Sequence, residues 1–285
     1  MQVIQTQSLN VWRNLAAEEW LLSEQAPEPP ILFLWQADPA VVIGKNQNPW
    51  AECAPGRLEQ LGIRLARRVS GGGAVYHDPG NLNYAFILPR AAYRRDKAFG
   101  WVLAALHRLG IPARRLGRSG LGINSLKFSG TAFCYRGARV LHHGTLLVSA
   151  DLEKLEQALS PPPIAIRGRA VPSERSPVMN LSELVPGLTV DRVAVALAGE
   201  GPLVAERFPD AAVRELEAKH GSQAWLYEST PTFEADLPTG RVRVEHGRIV
   251  EAGEAVQLMG CLFRSRDLSA RLEGNPAERI LTLGL

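Results

Sequence analysis

Three successive glycines, Gly71 to Gly73, follow the paired arginines Arg67 and Arg68 and lie between two segments with strand character, Ile63 to Val69 and Leu82 to Leu88. Glycine tolerates positive φ and lets a backbone approach a ligand closely. Exposed N–H groups in such a loop can bind phosphate or carboxylate oxygens, and an arginine beside it supplies a bidentate cation for the same oxygens. The spacing fits neither a Walker loop nor a GxGxxG fingerprint. The alternative to an anion site is a plain flexible turn.

Two further groups of residues could carry chemistry. Lys127 precedes the small residues Ser129, Gly130 and Thr131 on a predicted strand. It could project a point charge into a pocket, or it could face solvent. The adjacent His142 and His143 point to opposite faces of a strand, which disfavours a shared metal ion. One of them could bond a ligand or a neighbouring strand. We predict no metal site.

The three cysteines, Cys53, Cys134 and Cys261, are far apart and odd in number. They form no disulfide framework and no CxxC metal pair, and a reducing compartment fits them best. Residues 1–10 contain no apolar leader segment, and no run of about 18 apolar residues predicts a membrane span. We therefore expect a cytoplasmic protein.

The composition is that of an ordinary globular chain. It has 285 residues, 46% of them hydrophobic and 21% charged, and 32 Lys+Arg against 29 Asp+Glu give a net charge of +3. These values exclude a disordered or fibrous chain and do not mark a nucleic-acid binder. The arginines cluster near positions 64–68, 90–95 and 114–118. Each cluster is either a local basic surface or a solvated face.

Periodicity and turn residues predict the elements that must position these groups. Strands are expected at Ile31–Trp35, Ala40–Ile43, Ser125–Tyr135 and Ala138–Val148. Helices are expected at Trp12–Glu24, Ala54–Leu61, Lys97–Leu109, Leu152–Leu159, Leu181–Leu184 and Asp191–Gly199. After Gly221 the composition changes, and a hairpin of Arg241–Glu245 and Arg248–Glu251 predicts a small α+β tail.

Several motifs resemble one known family. The segments RRVSGGGAVYHDPGNLNYAFI, LKFSGTAF and LHHGTLLVSADLEKL occur in this order, with WRNLAAEEWLL, LFLW and VVIGKNQNPWAEC upstream and SPVMNLSELVPG downstream. Together they resemble the lipoate–protein ligase A family of the biotin/lipoate protein ligase superfamily. The resemblance covers Trp12 to Gly187. It resumes at Leu258 to Arg264, which is similar to a motif of that family's C-terminal accessory domain.

The resemblance implies an α+β fold with mixed β-sheets flanked by helices and a small α+β C-terminal domain. Residues 1–222 would form the catalytic domain and residues 226–285 the accessory domain. It also implies a two-step, ATP-dependent reaction. Lipoate attacks the ATP α-phosphate to give lipoyl-AMP and pyrophosphate, and a lysine of an acceptor domain then displaces AMP. Positive charge is needed in the first step, because a carboxylate approaches a polyanion.

The resemblance also assigns roles by motif position. Arg68 and the amides of Gly73, Ala74, Val75 and Tyr76 would hold ATP, which is expected to bring Mg²⁺. Lys127 would contact both the lipoyl carbonyl and the α-phosphate, without forming a covalent bond. Lipoate would lie against Lys127, Gly72, His77 and His143, in an apolar tunnel supplied by the flanking strands.

The implied partners are lipoyl-acceptor domains of 2-oxoacid dehydrogenase acyltransferase subunits or the glycine cleavage H protein. We expect no nucleic acid and no membrane as partners, and a monomeric protein. Two departures from the family stand out. The family's Arg-Asn-Asp-Leu segment reads Arg118-Ser119-Gly120-Leu121 here, which bears on nucleotide and magnesium binding. The accessory domain is also short, between Ala252 and Leu258 and after Leu268.

Other functions remain open. An octanoyl or lipoyl transferase of the same superfamily would share the fold, and those that use a cysteine place it before the lysine strand or beside the His-Gly segment. Residues 112–126 and 141–144 contain no cysteine, so a structural thiol is expected at Cys134. A lipoyl-binding scaffold without catalytic activity is a further alternative. A biotin ligase fits least, because its glycine–arginine loop does not match RRVSGGGAVYHD.

Overall fold

The computed structural model describes residues 1–23, 28–201, 203–204 and 208–285. These residues form fifteen β-strands and nine α-helices. The strands are β1 (Gln2–Gln5), β2 (Ile31–Trp35), β3 (Ala40–Ile43), β4 (Arg64–Arg67), β5 (Val75–His77), β6 (Asn81–Pro89), β7 (Arg114–Leu116), β8 (Gly120–Ile123), β9 (Leu126–Arg136), β10 (Arg139–Leu147), β11 (Ile166–Gly168), β12 (Leu203–Val204), β13 (Phe233–Leu237), β14 (Gly240–Glu245) and β15 (Arg248–Glu251). The helices are α1 (Val11–Leu21), α2 (Pro49–Glu52), α3 (Pro55–Gln60), α4 (Arg95–Arg108), α5 (Leu152–Ala158), α6 (Val190–Ala198), α7 (Asp210–His220), α8 (Ser265–Ser269) and α9 (Asn275–Leu281).

An eight-stranded mixed sheet organises the molecule, in the order β12-β1-β2-β6-β10-β9-β8-β7. Strand β2 is buried along its whole length, because both faces of the sheet are covered by helices. Leu32 and Leu34 belong to the core that includes residues of α4 and α6. Phe33 and Trp35 face the opposite way, into the core with α1 and α7. The alternation along one strand therefore divides the interior into two layers.

A three-stranded sheet in the order β4-β3-β5 packs beside the large one. Strand β3 pairs in parallel with β4 and antiparallel with β5. Its alternate residues Ala40 and Val42 join the core beside α1, whereas Val41 and Ile43 join the core of the C-terminal residues. The connection from β4 to β5 carries the three glycines, so this small sheet positions the predicted loop.

The C-terminal residues build a four-stranded sheet in the order β11-β13-β14-β15. Its core joins the three-stranded sheet through the buried Trp50. That ring lies 5.4 Å from Tyr227, 5.5 Å from Phe233 and 5.3 Å from Phe263 between centroids. Strand β11, at residues 166–168, pairs with β13, so the sheet of the tail includes one strand from the earlier part of the chain. Residues 1–222 and 226–285 remain our proposed division.

Most predicted elements occur where the sequence placed them. The two hairpins formed by β9 with β10 and by β14 with β15 are confirmed. Helix α1 begins where Asn10 caps it by accepting a hydrogen bond from the Trp12 amide. It ends at Leu21, and Glu24, the predicted end, lies outside the described residues. None of the described helices is long and apolar enough to cross a membrane.

Candidate active site

The glycine loop joins β4 to β5 and passes over the end of β3. Gly72 has a φ of +91°, a conformation that favours glycine. The loop also approaches β3 closely, because a Cβ on Gly44 would collide with the carbonyl oxygen of Gly72. Gly71 differs, since a Cβ there would meet open space. The positive φ therefore explains the glycine at position 72, and the close approach of the two backbones explains the glycine at position 44. Neither observation requires a glycine at position 71.

Arg68 stabilises the conformation of this loop by hydrogen bonds to its backbone. Its Nη2 donates to the carbonyl oxygens of Gly71 at 2.7 Å and Gly73 at 2.8 Å, and its Nη1 donates to Val42 at 3.1 Å. The side chain is buried, and burial lowers its pKa to about 10, which still leaves it charged at neutral pH. Arg68 thus places a fixed positive charge under the loop. Its predicted contact with nucleotide phosphates stays a prediction.

Two cavities meet beside the loop. The first has a volume of about 270 Å³, and the second about 460 Å³. The first is lined by polar and aromatic side chains that include Glu18, Trp35, His77, Asn83 and His143. The second has an apolar wall formed by Leu147, Leu152, Leu155, Leu159 and Val178. The residues common to both are Ala74, Val75, Lys127, Gly130, Thr145, Ser173 and Glu174.

Lys127 on β9 lies at the junction of the two cavities. Two glycines leave room for its side chain, because a Cβ on Gly120 would lie 3.3 Å from its Cε and one on Gly130 3.9 Å from its Nζ. Burial lowers the pKa of Lys127, and the nearby Glu174 opposes that shift. The half-buried ammonium therefore faces a pocket, as predicted. The alternative of a solvent-facing lysine does not fit this position.

His77 lies in the wall of the first cavity and is neutral. Its Nδ1 accepts a hydrogen bond of 2.9 Å from the side-chain Nδ2 of Asn81. Its ring packs on Trp35 with centroids 5.4 Å apart. Burial lowers the pKa of His77 to about 3, and the charge of Arg68 adds to that shift. The proton therefore resides on Nε2, which leaves this atom as a hydrogen-bond donor.

His143 is held by partners at both ring nitrogens. Its Nδ1 lies 2.7 Å from a carboxylate oxygen of Glu18, and its Nε2 lies 2.7 Å from Oγ of Ser70. The other oxygen of Glu18 accepts a bond of 2.9 Å from Nε1 of Trp35. His142 points the other way, into the apolar core beside α4. The prediction that the adjacent histidines face opposite sides of the sheet is confirmed.

Residues 171–178 cross both cavities. The sequence patterns predicted no role for them. Ser173 accepts hydrogen bonds from the Ala74 amide at 2.7 Å and from Gln47 at 3.1 Å. The Ser173 amide donates to Glu52 at 3.0 Å. Burial raises the pKa of Glu52, although its hydrogen bonds to Ser173 oppose the shift. We call residues 171–178 the crossing segment.

The crossing segment is also tied to the strand that carries the lysine. The amide of Lys127 donates to the carbonyl of Pro177 at 2.9 Å, and the amide of Met179 donates to the carbonyl of Lys127 at 3.1 Å. No glycine or charge pattern in the sequence marks this role. Two signals were available, because Glu52 falls in the motif VVIGKNQNPWAEC and residues 176–178 begin the motif SPVMNLSELVPG.

The departure at Arg118 to Leu121 lies at the site. Ser119 lines the first cavity, and its carbonyl accepts a bond of 2.8 Å from the Thr131 amide. Gly120 opens β8, where a Cβ would lie 2.8 Å from the carbonyl of Leu116. Close packing of the strands therefore requires glycine at position 120. No carboxylate or amide side chain is present in this stretch.

None of the three cysteines lines either cavity. Cys53 and Cys261 are buried, and Cys134 is half-buried on β9. Burial raises the pKa of the Cys134 thiol, which disfavours a reactive thiolate. The three residues are best explained as structural thiols.

A comparison with family models identifies the class of protein. The lipoyl protein ligase A/B catalytic domain matches residues 10–200, about two-thirds of the chain. The chain belongs to this family. The match includes the glycine loop, Lys127, the cavity-lining His77 and His143, and the crossing segment. It confirms the resemblance drawn from the motifs.

Two curated relatives carry the description lipoate-protein ligase A. The protein from Psychrobacter cryohalolentis is 41% identical over 183 residues, which are 64% of this chain and 54% of that relative. The protein from Bdellovibrio bacteriovorus is 39% identical over 251 residues, which are 82% of this chain and 74% of that relative. The matched part thus spans about half of the first relative and three-quarters of the second.

Solved structures confirm the α+β fold. A crystal structure described as lipoate-protein ligase A bound with ATP superposes with a TM-score of 0.67 at 28% identity, covering 79% of this chain and 97% of that one. A bi-partite lipoate protein ligase from Thermoplasma acidophilum, studied with its E2 lipoyl domain, has a TM-score of 0.66 at 27% identity. It covers 79% of this chain and 95% of that one.

Proposed function

We propose that this protein activates lipoate with ATP and transfers the lipoyl group to a lysine of a lipoyl-acceptor domain. The observation that carries the proposal is the position of Lys127 at the junction of two cavities. A reaction between two bound substrates requires their reacting atoms to be held together. One half-buried cation between two cavities meets that requirement.

In the first step, an oxygen of the lipoate carboxylate forms a bond to the α-phosphorus of ATP, and the bond to pyrophosphate breaks. Both reactants are negative, so their approach needs a positive charge that is already in place. Lys127 supplies this charge between the cavities, and Arg68 adds a fixed charge under the loop. Neither side chain needs to move a proton in this step.

In the second step, the amine of an acceptor lysine attacks the lipoyl carbonyl carbon. The bond to AMP then breaks, and the amine releases one proton to solvent water as the amide forms. Negative charge develops on the carbonyl oxygen and on the leaving phosphate. We assign Lys127 as the donor to both groups, so that the same ammonium serves both steps; its position in the lining of both cavities supports this assignment. Burial lowers the pKa of Lys127, and Glu174 opposes that shift; negatively charged phosphates beside the ammonium would oppose it further.

We place lipoate in the first cavity, against Gly72, His77, His143 and Lys127. Trp35 and Leu15 supply apolar surface there, as an alkyl chain requires. Glu18 fixes the His143 ring, so the polar wall is rigid. The assignment follows the cavity lining, since Gly72 and both histidines line the first cavity and are absent from the lining of the second.

We place ATP across the junction, with its adenosine in the second cavity. Ala74, Val75 and Tyr76 line that cavity, and Gly73 and Arg68 border the first. Mg²⁺ would arrive with the nucleotide, because it prefers phosphate oxygens, waters and one or two carboxylates. Glu52, Glu156 and Glu174 are the carboxylates that line the second cavity.

The acceptor is a lipoyl domain of a 2-oxoacid dehydrogenase acyltransferase or the glycine cleavage H protein. The archaeal ligase studied with its E2 lipoyl domain supports this choice. We propose that the protein is a monomer and that it is cytoplasmic. The cysteines are free thiols, as a reducing compartment leaves them.

The experiment is a direct assay with the whole chain. The protein is incubated with ATP, Mg²⁺, lipoate and an unlipoylated E2 lipoyl domain. Pyrophosphate release and a mass increase of one lipoyl group on the domain are expected. Transfer from an octanoylated carrier protein without ATP would instead assign a transferase. Lipoate binding without pyrophosphate release would assign a scaffold.

A further inference from the structure

The outer edge of β9 is open beyond the site. Strand β8 pairs with β9 only as far as Gly130, and the Thr131 amide donates across this edge to Ser119. Phe133 and Tyr135 are in phase with Thr131, so their backbone N–H and C=O groups face the same edge. No strand among the described residues pairs with them there. We call residues 131–136 the β9 edge.

The β9 edge carries two aromatic side chains that remain accessible. Phe133 is 39% exposed and Tyr135 is 47% exposed. Their rings meet edge to face with centroids 5.9 Å apart. The guanidinium of Arg95 lies 5.5 Å from the Phe133 ring and that of Arg90 lies 5.3 Å from the Tyr135 ring. The stacked cations hold the rings in place.

This part of the chain is strongly basic, although the whole chain is nearly neutral. Residues 90–150 contain eleven arginines and lysines and one acidic residue, Asp96. In the part of the chain that the structure describes, Arg90, Arg94 and Arg95 have no carboxylate within ion-pair distance. An unpaired group of cations beside exposed aromatic rings is a surface complementary to an acidic protein.

The β9 edge begins at the wall of the first cavity. Thr131 and Ala132 line that cavity, and they immediately precede Phe133 on the same strand. Ala132 also faces the glycine loop, because a Cβ on Gly72 would lie 3.6 Å from its Cβ. A chain laid along this edge would therefore run beside the wall of the cavity in which we place the lipoyl group.

We propose that the β9 edge is the docking surface for the acceptor domain. A strand of the acceptor with acidic side chains pairs with the backbone of Phe133 and Tyr135, and its carboxylates lie against Arg90, Arg94 and Arg95. Backbone pairing gives the register, and charge selects the partner. This proposal rests on the proposed ligase function, since it deepens the second step of that reaction. An open edge of this kind otherwise invites nonspecific pairing.

The test separates the two half-reactions. Adenylation is followed as pyrophosphate release with ATP and lipoate alone, and transfer is followed with an unlipoylated E2 lipoyl domain. Arg90→Glu and Tyr135→Pro should leave adenylation at the wild-type rate and raise the KM for the lipoyl domain about tenfold or more. Proline at Tyr135 removes an outward N–H and is tolerated on a strand edge. Tyr135→Ala isolates the loss of the ring, and Arg271→Glu is the matched charge control in the C-terminal unit.

Each result has a distinct meaning. Suppose that the wild type adenylates lipoate and that Arg90→Glu and Tyr135→Pro leave the KM for the lipoyl domain unchanged. This result would overturn the docking proposal but not the ligase function. Wild-type protein without adenylation would remove both. If Tyr135→Pro fails to fold, Arg90→Glu and Arg94→Glu still test the charge. A wild-type dimer that Tyr135→Pro converts to a monomer, with the KM unchanged, would assign the edge to a second copy and overturn docking.

Discussion

The hydroxyl oxygen of Ser173 accepts a hydrogen bond of 2.7 Å from the backbone amide of Ala74. This amide belongs to the loop to which we assign the nucleotide phosphates. In the proposed complex ATP would use the same donor, so a phosphate oxygen would replace the Ser173 hydroxyl as its acceptor. The segment and the glycine loop are expected to change together when the nucleotide binds.

The first prediction concerns Gly73, which packs against this contact. A Cβ on Gly73 would lie 2.9 Å from Oγ and 3.2 Å from Cβ of Ser173, so Gly73→Ala must shift the Ser173 side chain and disturb its hydrogen bond to the Ala74 amide. A displacement of about 1 Å costs on the order of 10²-fold in rate when it moves a reacting group. Adenylation should fall strongly while the melting temperature changes by a few degrees. Gly71→Ala is the matched control, because its Cβ meets open space. Equal adenylation in both variants would contradict this role of the loop.

The second prediction concerns Lys127. Lys127→Ala should abolish adenylation, because no other described lysine lines both cavities. The change removes a half-buried side chain without leaving a charge unpaired, so the free energy of unfolding should fall by about 1 kcal/mol or less. Pyrophosphate release and thermal melting are measured side by side. The exposed Lys154→Ala is the control. Turnover near the wild-type rate would show that Lys127 has been assigned wrongly.

The third prediction separates the ligase from a cysteine-dependent transferase. A variant with all three cysteines replaced by alanine should keep its ligation rate, provided that it folds. The replacement at the buried Cys53 leaves a small cavity and should lower the free energy of unfolding by about 1 kcal/mol. Activity is assayed at a temperature well below the melting point. An acyl-thioester trapped on Cys134 in the wild type would support transfer instead.

The sequence predicted the site where its residues are close along the chain. Gly72, Arg68 and His77 belong to one motif. Alternation predicted that His142 and His143 face opposite ways, whereas the resemblance to the family, and not the strand pattern, assigned Lys127 and His143 to the site. The β9–β10 hairpin was predicted because its turn at Arg136 and Gly137 is short and local. Local patterns of this kind depend on neighbouring residues, so they can be interpreted without tertiary structure.

The parts that were missed depend on contacts distant in sequence. Ser173 lies 99 residues from Ala74, and its segment has neither helical nor strand periodicity. The strands β1, β7 and β8 were also missed, because each has four residues or fewer and is stabilised by its neighbours in the sheet. Helix α7 was missed for a similar reason, since it is stabilised mainly by packing on α1, which is distant in sequence. Ile63 to Val69 was predicted as one strand, but only Arg64–Arg67 pairs.

A buried charge cluster away from the cavities leads to the last prediction. Glu19 on α1 accepts hydrogen bonds from Lys219 at 2.7 Å, His220 at 2.9 Å and Arg136 at 3.1 Å. The other ring nitrogen of His220 lies 3.1 Å from the carbonyl of Arg67. The cluster thus joins α1, α7, β9 and the strand that leads into the glycine loop.

Burial would raise the pKa of Glu19, but the bonds from His220 and Lys219 outweigh it and lower the pKa from 4.5 to about 2. In the unfolded chain the Glu19 carboxylate is therefore protonated near pH 4.5, whereas in the folded protein it is protonated only near pH 2. The resulting stability is present above pH 4.5 and is lost as the pH falls toward 2. Glu19→Gln should lower the free energy of unfolding by about 3 kcal/mol at pH 7 and weaken its dependence on pH between 5 and 3. Urea unfolding at several pH values measures both effects, with the exposed Glu254→Gln as control. A pH profile that stays parallel to the wild type would contradict the role of Glu19.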